Sequence, residues 1–467
     1  MSTTHGDHNG GHHPQPTGNQ SRPASFTDPK SPWVPGLVEV VFKEDFDSGV
    51  LDPGFGNTRE RQKPSDRWGS KLLEILRDNQ LLGWKPSFPV TRPWSKQPQD
   101  KARDFLKKSG RDKYVTFRFA ESADVAQIAT DLLKVPEIKR ATPVAKIVPP
   151  SISEPFLVGT GAVQVLEDGF QNQWYAFRCN LPQVLEEYTG RDVVVAAIDW
   201  GFSEFHPEYA AAIELKKNIY KNDETIDNGN YGHHGTAVLG LAAARLNGAG
   251  MVGFAPGSRL WAIQAGEDEV VNHEHWRDAI DFVRLESSPY RKVIILEIQT
   301  ASGGNVEAIP SINQAIVDAI ADNIVVCVPA GNRAGDAGKD DLGNDIPATG
   351  SVLVGATVFD PDHNYLQGRQ GESIVVYAPG DTYRDVTCIN QAINYTNRFG
   401  GTSGAVAKVG GAVALLLEAN GYLAPAQVRD ILKHTNIPVK TFAGVQQTAG
   451  LLDCEHAIDH ALRERNR

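Results

Sequence analysis

Four polar residues follow apolar segments of this chain in an order that can support nucleophilic catalysis. Asp199 ends a strand-like apolar run, and His234 lies in the first turn of a predicted helix. Asn332 follows a second apolar strand, and Ser403 begins a long apolar helix. A serine hydroxyl attacks a carbonyl when a histidine takes its proton, a carboxylate orients that histidine, and amide N–H groups bind the oxyanion. The four residues therefore include every group that such a hydrolysis needs.

Each of the four also has an ordinary structural interpretation. An aspartate at the end of a strand often belongs to a loop or caps a helix, and a lone histidine is usually structural. His233 also competes with His234 for any role. Asn332 is suited to an Asx-turn, and Ser403 to capping its helix. The residue types alone leave these alternatives open, so their order and surrounding motifs must decide.

The order Asp, His, Asn, Ser and the flanking residues resemble the subtilisin-like serine peptidases, the subtilase family. The motifs that carry this resemblance are Ala197-Ile-Asp199-Trp-Gly201, His234-Gly-Thr236, Pro329-Ala-Gly-Asn332 and Gly401-Thr-Ser403. The resemblance spans about residues 173–435. It implies that Ser403 is the nucleophile, His234 the general base and Asp199 the group that orients His234. Asn332 would donate its side-chain amide to the oxyanion beside the Ser403 N–H.

The resemblance also implies two substrate-binding residues, Gly303 and Asp345. Asp345 lies shortly before Pro347, which places it at the floor of the pocket for the residue preceding the scissile bond. A carboxylate shielded there would favour Lys or Arg in the substrate. The alternative is a solvated or cation-binding acidic loop, since four aspartates lie between residues 336 and 345.

Several positions depart from the family pattern. Trp200 follows the aspartate where Ser or Thr is usual, and Ala237 replaces a frequent second histidine. Gly404 stands where Met usually follows the serine, and Ala407-Lys408 replaces Pro-His. Because none of these changes removes a catalytic group, we expect an intact triad and leave the substrate preference open.

The elements that position these residues predict an α/β fold. From about Trp174 onward, short strands that are apolar throughout alternate with helices. Such strands belong to parallel sheets covered by helices on both faces. Together with the resemblance, this predicts a subtilisin-like three-layer domain with a mainly parallel sheet over residues 173–467.

The preceding region, residues 36–150, predicts a small ferredoxin-like α+β domain. It contains strand-like runs at Leu37–Phe42, Tyr114–Phe119 and Ile138–Val148, and a helix after Ser122 that Ser122 can cap. Residues 92–113 are interpreted as a surface insertion. The order resembles the propeptide of many subtilases, which implies an intramolecular inhibitor or folding chaperone; the alternative is a permanent accessory domain. Residues 151–172 are predicted to be a linker with a self-processing site.

Composition narrows the function classes. With 46 Lys and Arg against 57 Asp and Glu, the 467-residue chain has a net charge of −11 and no basic footprint for nucleic acid. Residues 1–35 form a tail rich in His, Gly and Pro without a signal-peptide core, and no apolar run reaches the ~18 residues of a membrane span. The four cysteines form no CxxC pair. We therefore predict a cytoplasmic protein without nucleic-acid or membrane partners.

These observations favour a serine endopeptidase that acts on protein or peptide substrates. The competing hypothesis is a catalytically silent subtilase fold that serves as a binding module; silent relatives usually lack one of the four polar residues, and all four are present here. An esterase of the α/β-hydrolase type would need a GxSxG motif and the order Ser, Asp, His, which are absent from the sequence. The chemistry requires no cofactor or metal, and a structural calcium ion is left open.

Overall fold

The computed structural model describes residues 31–46, 68–89, 99–148, 173–227, 232–248, 250–266, 272–360, 365–389, 394–434, 436–439 and 447–465. Most of the predicted tail and the whole of the predicted linker, residues 151–172, lie outside the described residues.

The N-terminal unit, residues 31–148, contains a four-stranded antiparallel sheet in the order β2-β3-β1-β4. Its elements are β1 Trp33–Phe42, α1 Ser70–Asp78, β2 Gly83–Pro86, α2 Gln99–Lys108, β3 Tyr114–Arg118, α3 Val125–Leu132, β4 Ile138–Ala145 and β5 Ile147–Val148. Helices α1 and α3 bury their apolar stripes against the sheet because Leu72, Leu76, Ile128 and Leu132 share one core with its inner face. The small α+β fold is confirmed.

Two details of this unit differ from the prediction. The cap of α3 is Asp124, whose side chain accepts a hydrogen bond from the Gln127 N–H at 3.0 Å; Ser122 does not cap the helix. The predicted surface insertion, residues 92–113, contains helix α2 and Arg111, and the Arg111 side chain is fully buried. At Arg111, this polar sequence forms part of an interface with the second unit. The spacing of polar and apolar residues alone does not distinguish such an interface from a solvated surface.

The second unit begins at residue 173 and is built on a ten-stranded sheet. The strands of this unit are β6 Val193–Asp199, β7 Ile213–Asn218, β8 Arg259–Gln264, β9 Arg291–Leu296, β10 Gln299–Thr300, β11 Val325–Pro329, β12 Val352–Val358, β13 Tyr365–Gln367, β14 Val376–Pro379, β15 Thr387–Ile389, β16 Asn394–Thr396, β17 Asn436–Ile437 and β18 Leu451–Leu452. Its helices are α4 Trp174–Arg178, α5 Leu181–Leu185, α6 Gly232–Ala243, α7 His273–Leu285, α8 Pro310–Ala321, α9 Gly401–Ala419, α10 Pro425–His434 and α11 Cys454–Arg465.

The order of the large sheet is β17-β18-β14-β12-β11-β9-β6-β8-β7, with β13 paired to β12. The pairs from β7 to β18 are parallel, whereas β17 and β13 are antiparallel. Strands β10 and β15 lie outside it and pair with β5 and β16. The predicted mainly parallel sheet is confirmed.

Strand β6 shows why its sequence is apolar throughout. Val194, Ala196 and Ile198 contribute to the core shared with α7 and α8, while the alternate residues join the core of α6 and α9. Since both faces of the strand are covered, neither face can carry polar residues. The result is the predicted three-layer arrangement.

Helix α9 runs through the middle of the second layer. It is long and apolar enough, by length and composition, to cross a membrane, and is alone in this among the described residues. Because 94% of the segment is buried inside the protein, its apolar character is explained by the core that it occupies.

Candidate active site

Asp199 and His234 form a buried pair at the carboxyl end of β6. The Asp199 Oδ2 lies 2.8 Å from His234 Nδ1, and the Trp200 N–H donates to Asp199 Oδ1 at 2.6 Å. Burial raises the pKa of Asp199, while the His234 ring and the Trp200 N–H favour its ionised form. This network assigns a proton to Nδ1 and leaves Nε2, which has no hydrogen-bond partner among the described residues, as the available base.

The close approach of helix α6 to the loop after Asp199 requires glycine at position 235. A Cβ atom there would lie 2.2 Å from the Gly201 carbonyl oxygen and 2.7 Å from the Phe202 ring. Any larger residue would therefore push the first turn of α6, and His234 with it, away from Asp199. The ring of Phe399 closes the other side of His234, with centroids 5.1 Å apart.

Ser403 is the third residue of α9 and is 3% exposed. The N-cap position belongs to Gly400, and no side chain caps this helix. Ser403 therefore does not cap α9, and this structural alternative is excluded. Helix α9 packs directly against α6, the helix that carries His234.

Asn332 follows β11 and is anchored to the first turn of α9. Its Oδ1 accepts hydrogen bonds from the Thr402 N–H at 2.8 Å and the Thr402 hydroxyl at 3.0 Å. Gly401 has φ +65°, and a Cβ there would lie 2.6 Å from the same oxygen. With its oxygen held by Thr402, the Asn332 side chain turns its Nδ2 donor away from that residue, and no described residue accepts from Nδ2. Because Oδ1 is bound by Thr402 rather than by the N–H two residues further on, Asn332 does not form an Asx-turn.

The last described strand of the N-terminal unit reaches the same region. Val148 and Ile147 of β5 pair antiparallel with Gln299 and Thr300 of β10. The Ala301 N–H also donates to the Lys146 carbonyl at 2.6 Å. The Gln299 side chain accepts from the Asn332 N–H at 3.2 Å, so the paired strand lies one residue from the candidate oxyanion donor.

A sequence model described as "Subtilase family" matches residues 190–455, more than half of this chain. The chain belongs to the subtilase family. An intracellular serine protease from Paenibacillus polymyxa is 31% identical over 238 residues, which cover 50% of this chain and 69% of that protein. A subtilisin from Bacillus pumilus is 28% identical, over 53% of this chain and 85% of that protein. The chain is thus a serine endopeptidase of this family.

Structural similarity supports the fold. Fervidolysin from Fervidobacterium pennivorans, described as a keratinolytic enzyme related to subtilisin, aligns with a TM-score of 0.58 at 18% identity. The alignment covers 91% of this chain and 61% of fervidolysin. It therefore includes most of the N-terminal unit as well as the subtilase domain.

The two predicted substrate-binding residues of this subtilase have different surroundings. Gly303, at φ +72°, lies beside the Asn332 loop, and its carbonyl accepts from the Arg333 N–H at 3.2 Å. The side chain of Asp345 is 86% exposed and pairs with Lys339 at 2.6 Å. The prediction of a shielded carboxylate at a pocket floor is therefore corrected: Asp345 belongs to a solvated loop, the alternative considered above.

Sequence reasoning missed Glu297, the residue directly after β9. Its side chain is fully buried. The Ser403 hydroxyl interacts with its carboxylate, but no described residue donates a hydrogen bond of standard geometry to either oxygen. One ligand atom each from Asp199, His234 and Glu297 fall within 4.8 Å of one another. A signal was present, since this is the one charged residue inside the run Val293-Ile-Ile-Leu-Glu-Ile298.

The spacing of these three residues would also suit a cation. However, Asp199 and His234 already satisfy each other through the hydrogen bond at Nδ1, and a metal there would displace that proton. We therefore assign no metal ligand. A structural calcium ion is left open here, as it was by the sequence.

Lys408 forms a second feature that the motifs did not reveal. Its ammonium group is fully buried in α9 and donates to Asp385 Oδ2 at 2.7 Å and to the Pro379 carbonyl at 2.9 Å. Burial raises the pKa of Asp385 to about 6, and Lys408 opposes that rise. Lys408, which departs from the family pattern, is thus matched by a buried acidic partner, Asp385.

Proposed function

We propose that this subtilase hydrolyses peptide bonds through Ser403, His234 and Asp199. His234 Nε2 accepts the Ser403 proton as the hydroxyl oxygen attacks the carbonyl carbon, and later delivers it to the leaving amine. Asp199 holds the ring and stabilises its protonated form. The tetrahedral oxyanion receives hydrogen bonds from Asn332 Nδ2 and the Ser403 N–H, and water then hydrolyses the acyl-enzyme.

The observation that supports this assignment most is the anchoring of both ends of the site. The Asp199–His234 pair fixes the base, and the Asn332–Thr402 contacts fix the donor beside Ser403. Preorganised groups of this kind stabilise a transition state because they need no rearrangement during the reaction.

A fluorophosphonate probe tests the assignment, because it labels only an activated serine. We expect labelling and hydrolysis in the native chain and neither in Ser403→Ala, with an unchanged circular dichroism spectrum. His234→Ala should be about as damaging because triad members act as a unit, whereas His233→Ala should be milder. An unlabelled native chain after removal of the N-terminal unit would favour the silent binding module.

We further propose that the N-terminal unit inhibits the enzyme in the manner of a bound strand. Strand β5 pairs with β10 beside Asn332, as an extended substrate would. Several buried polar contacts join the two units, including Glu39 Oε2 with the Ser311 N–H at 2.9 Å and Tyr114 with Gln314 at 2.7 Å. A permanent accessory domain would use the same contacts, so processing distinguishes the two roles.

Self-processing is tested by comparing the native chain with Ser403→Ala on a denaturing gel. We expect the native chain to lose a fragment that ends between residues 150 and 174, identified by N-terminal sequencing. Full-length bands in both preparations, with an active native chain, would contradict a removable inhibitor and support an accessory domain.

We propose a cytoplasmic location because the names of two similar proteins describe them as intracellular. They are the intracellular serine protease of Paenibacillus polymyxa and the major intracellular serine protease of Bacillus subtilis, which is 27% identical over 49% of this chain. The four free, buried cysteines are compatible with a reducing compartment. Cell fractionation with an antibody against the chain tests this location.

A further inference from the structure

Glu297 occupies a position that ordinary stability arguments do not explain. Its backbone N–H donates to the Ile198 carbonyl at 3.0 Å, so the residue continues the β9 strand beside Asp199. A buried carboxyl that receives no hydrogen bond of standard geometry from the described residues costs free energy that an apolar residue would avoid. Such a cost is typical of a group that serves the site rather than the fold.

The charged and titratable groups around this carboxyl come from three elements. They are Asp199 on β6, His234 on α6, and Ser403 and Lys408 on α9. Burial raises the pKa of Glu297 well above its usual range, and the Asp199 charge raises it further. The Ser403 hydroxyl and the Lys408 ammonium oppose this rise, but Lys408 is already neutralised by Asp385.

Two carboxylates this close cannot both ionise in a buried site without a large electrostatic cost. Asp199 is held in its ionised form by the His234 ring and the Trp200 N–H, whereas Glu297 has no comparable donor of standard geometry among the described residues. The proton shared by the two groups therefore belongs on Glu297.

We infer that Glu297 is a positioning residue of the catalytic centre, a neutral carboxylic acid that faces Asp199 and lets the two carboxyl groups carry a single negative charge. This inference rests on the proposed triad. In the neutral state, Glu297 adds no charge beside Asp199 or near the developing oxyanion. Once ionised, it would repel both Asp199 and the oxyanion, so its loss of a proton lowers the rate.

The first test is the pH profile of kcat/KM for the native enzyme and Glu297→Gln. Gln keeps the shape and a donor but cannot ionise. We expect a loss of less than about tenfold at the optimum, with the alkaline limb of the profile abolished and the acid limb unmoved. If Glu297 were ionised at neutral pH, removing its charge would shift the acid limb to lower pH, and that result would overturn the inference.

Glu307→Gln provides a matched control. Glu307 is also buried, but its carboxylate accepts hydrogen bonds from Ser351 and Asn305, and it lies outside the catalytic centre. We expect both limbs of its pH profile to stay where they are. A lost alkaline limb in this variant as well would assign the effect to general loosening of the core and contradict a specific role for Glu297.

The second test does not depend on turnover, so it separates this inference from the proposed triad. The melting temperature of the Ser403→Ala parent is compared across pH with that of the double variant that also carries Glu297→Gln. A folded-state pKa raised above the ordinary 4.5 means that the native chain binds more protons than the unfolded chain, so the stability of the parent falls as pH rises through and above 4.5.

We therefore expect the melting temperature of the double variant to rise by several degrees relative to its parent between about pH 5 and pH 8. A difference that is constant with pH would indicate a merely structural role and overturn the inference. So would a pH dependence that EDTA removes or Zn²⁺ shifts, because a cation rather than a proton would then hold the two carboxylates.

Discussion

The two faces of the large sheet bury charge in different ways. The face covered by α6 and α9 is almost entirely apolar, and its main buried ion pair among the described residues is Lys408 with Asp385. The face covered by α7 and α8 carries the N-terminal unit, and there Arg111 binds Asp281 through two hydrogen bonds of 2.6 and 2.9 Å and also contacts Asp318.

This difference follows from what each face must do. Lys408 and Asp385 belong to one core and are never separated in the folded chain. The carboxylates of α7 and α8 would instead be hydrated if the N-terminal unit left, since they lie at a boundary between two units. An interface rich in charged groups can open at a moderate free-energy cost, because water replaces the partners that are lost. A charged group inside a single core cannot become hydrated while the chain stays folded.

The largest expected effect is that of Lys408→Met. The change leaves Asp385 buried without its partner, and breaking a buried pair in this way costs about 3–5 kcal/mol. Urea unfolding in a Ser403→Ala background measures the loss. The double variant with Asp385→Leu should recover most of it, and equal instability of single and double variants would show that packing, not charge, is responsible.

The pH dependence of the same pair gives the next effect. A folded pKa of about 6, against 3.8 in the unfolded chain, means that the native state retains a proton that the unfolded state releases. Stability from this group is therefore present below about pH 4 and is lost as pH rises to about 6, by about 2–3 kcal/mol. Asp385→Asn should be less stable overall but flatter with pH across this window, and an identical slope would contradict the assignment.

Arg111→Ala is expected to cost less, about 2 kcal/mol of docking free energy, because water can reach Asp281 and Asp318 when the units separate. Faster limited proteolysis of the N-terminal unit, with higher initial activity, would report the weakened contact. Arg111→Lys keeps the charge but loses the bidentate hydrogen bonding, so its loss of docking free energy should lie between that of Arg111→Ala and zero. A loss as large as that of Lys408→Met would remove the distinction between the two faces.

The smallest effect concerns the N-terminal unit alone. Asp124→Ala removes the cap of α3 and should cost about 1 kcal/mol, whereas Ser122→Ala should change stability by a few tenths at most. Chemical unfolding of the two variants checks the assignment of the cap. Equal losses would restore the prediction made from the sequence.

The residues of the proposed catalytic site could be suggested from the sequence because each lies in a short motif with its own supporting residues. Gly235, for example, is adjacent to the histidine whose approach it permits. The domain interface could not be found in this way, since Arg111 meets partners that lie 170 and 207 residues further along the chain. A polar stretch that binds a distant carboxylate has the same local pattern as one that binds water.

Glu297 and Asp345 show the same limit of prediction from sequence: the first is a buried residue that was missed, and the second is an exposed residue that was predicted to be shielded. Glu297 is one charge in an apolar strand, and only the neighbouring β6 reveals that it faces Asp199. Asp345 was placed by its distance from Pro347, but its position depends on how the acidic loop folds, and the pairing with Lys339 directs it to solvent. Spacing along the chain predicts the positions of residues at strand ends well, and the positions of residues inside loops poorly.

Gln299 links two tasks in a single residue. Its backbone pairs with the incoming strand, and its side chain holds the main chain of Asn332. A mutation at this position would therefore alter both the edge that pairs with β5 and the support of Asn332, the proposed oxyanion donor. A designed change of cleavage preference is therefore expected to disturb the proposed oxyanion donor more when it is made at Gln299 than when it is made farther from Asn332.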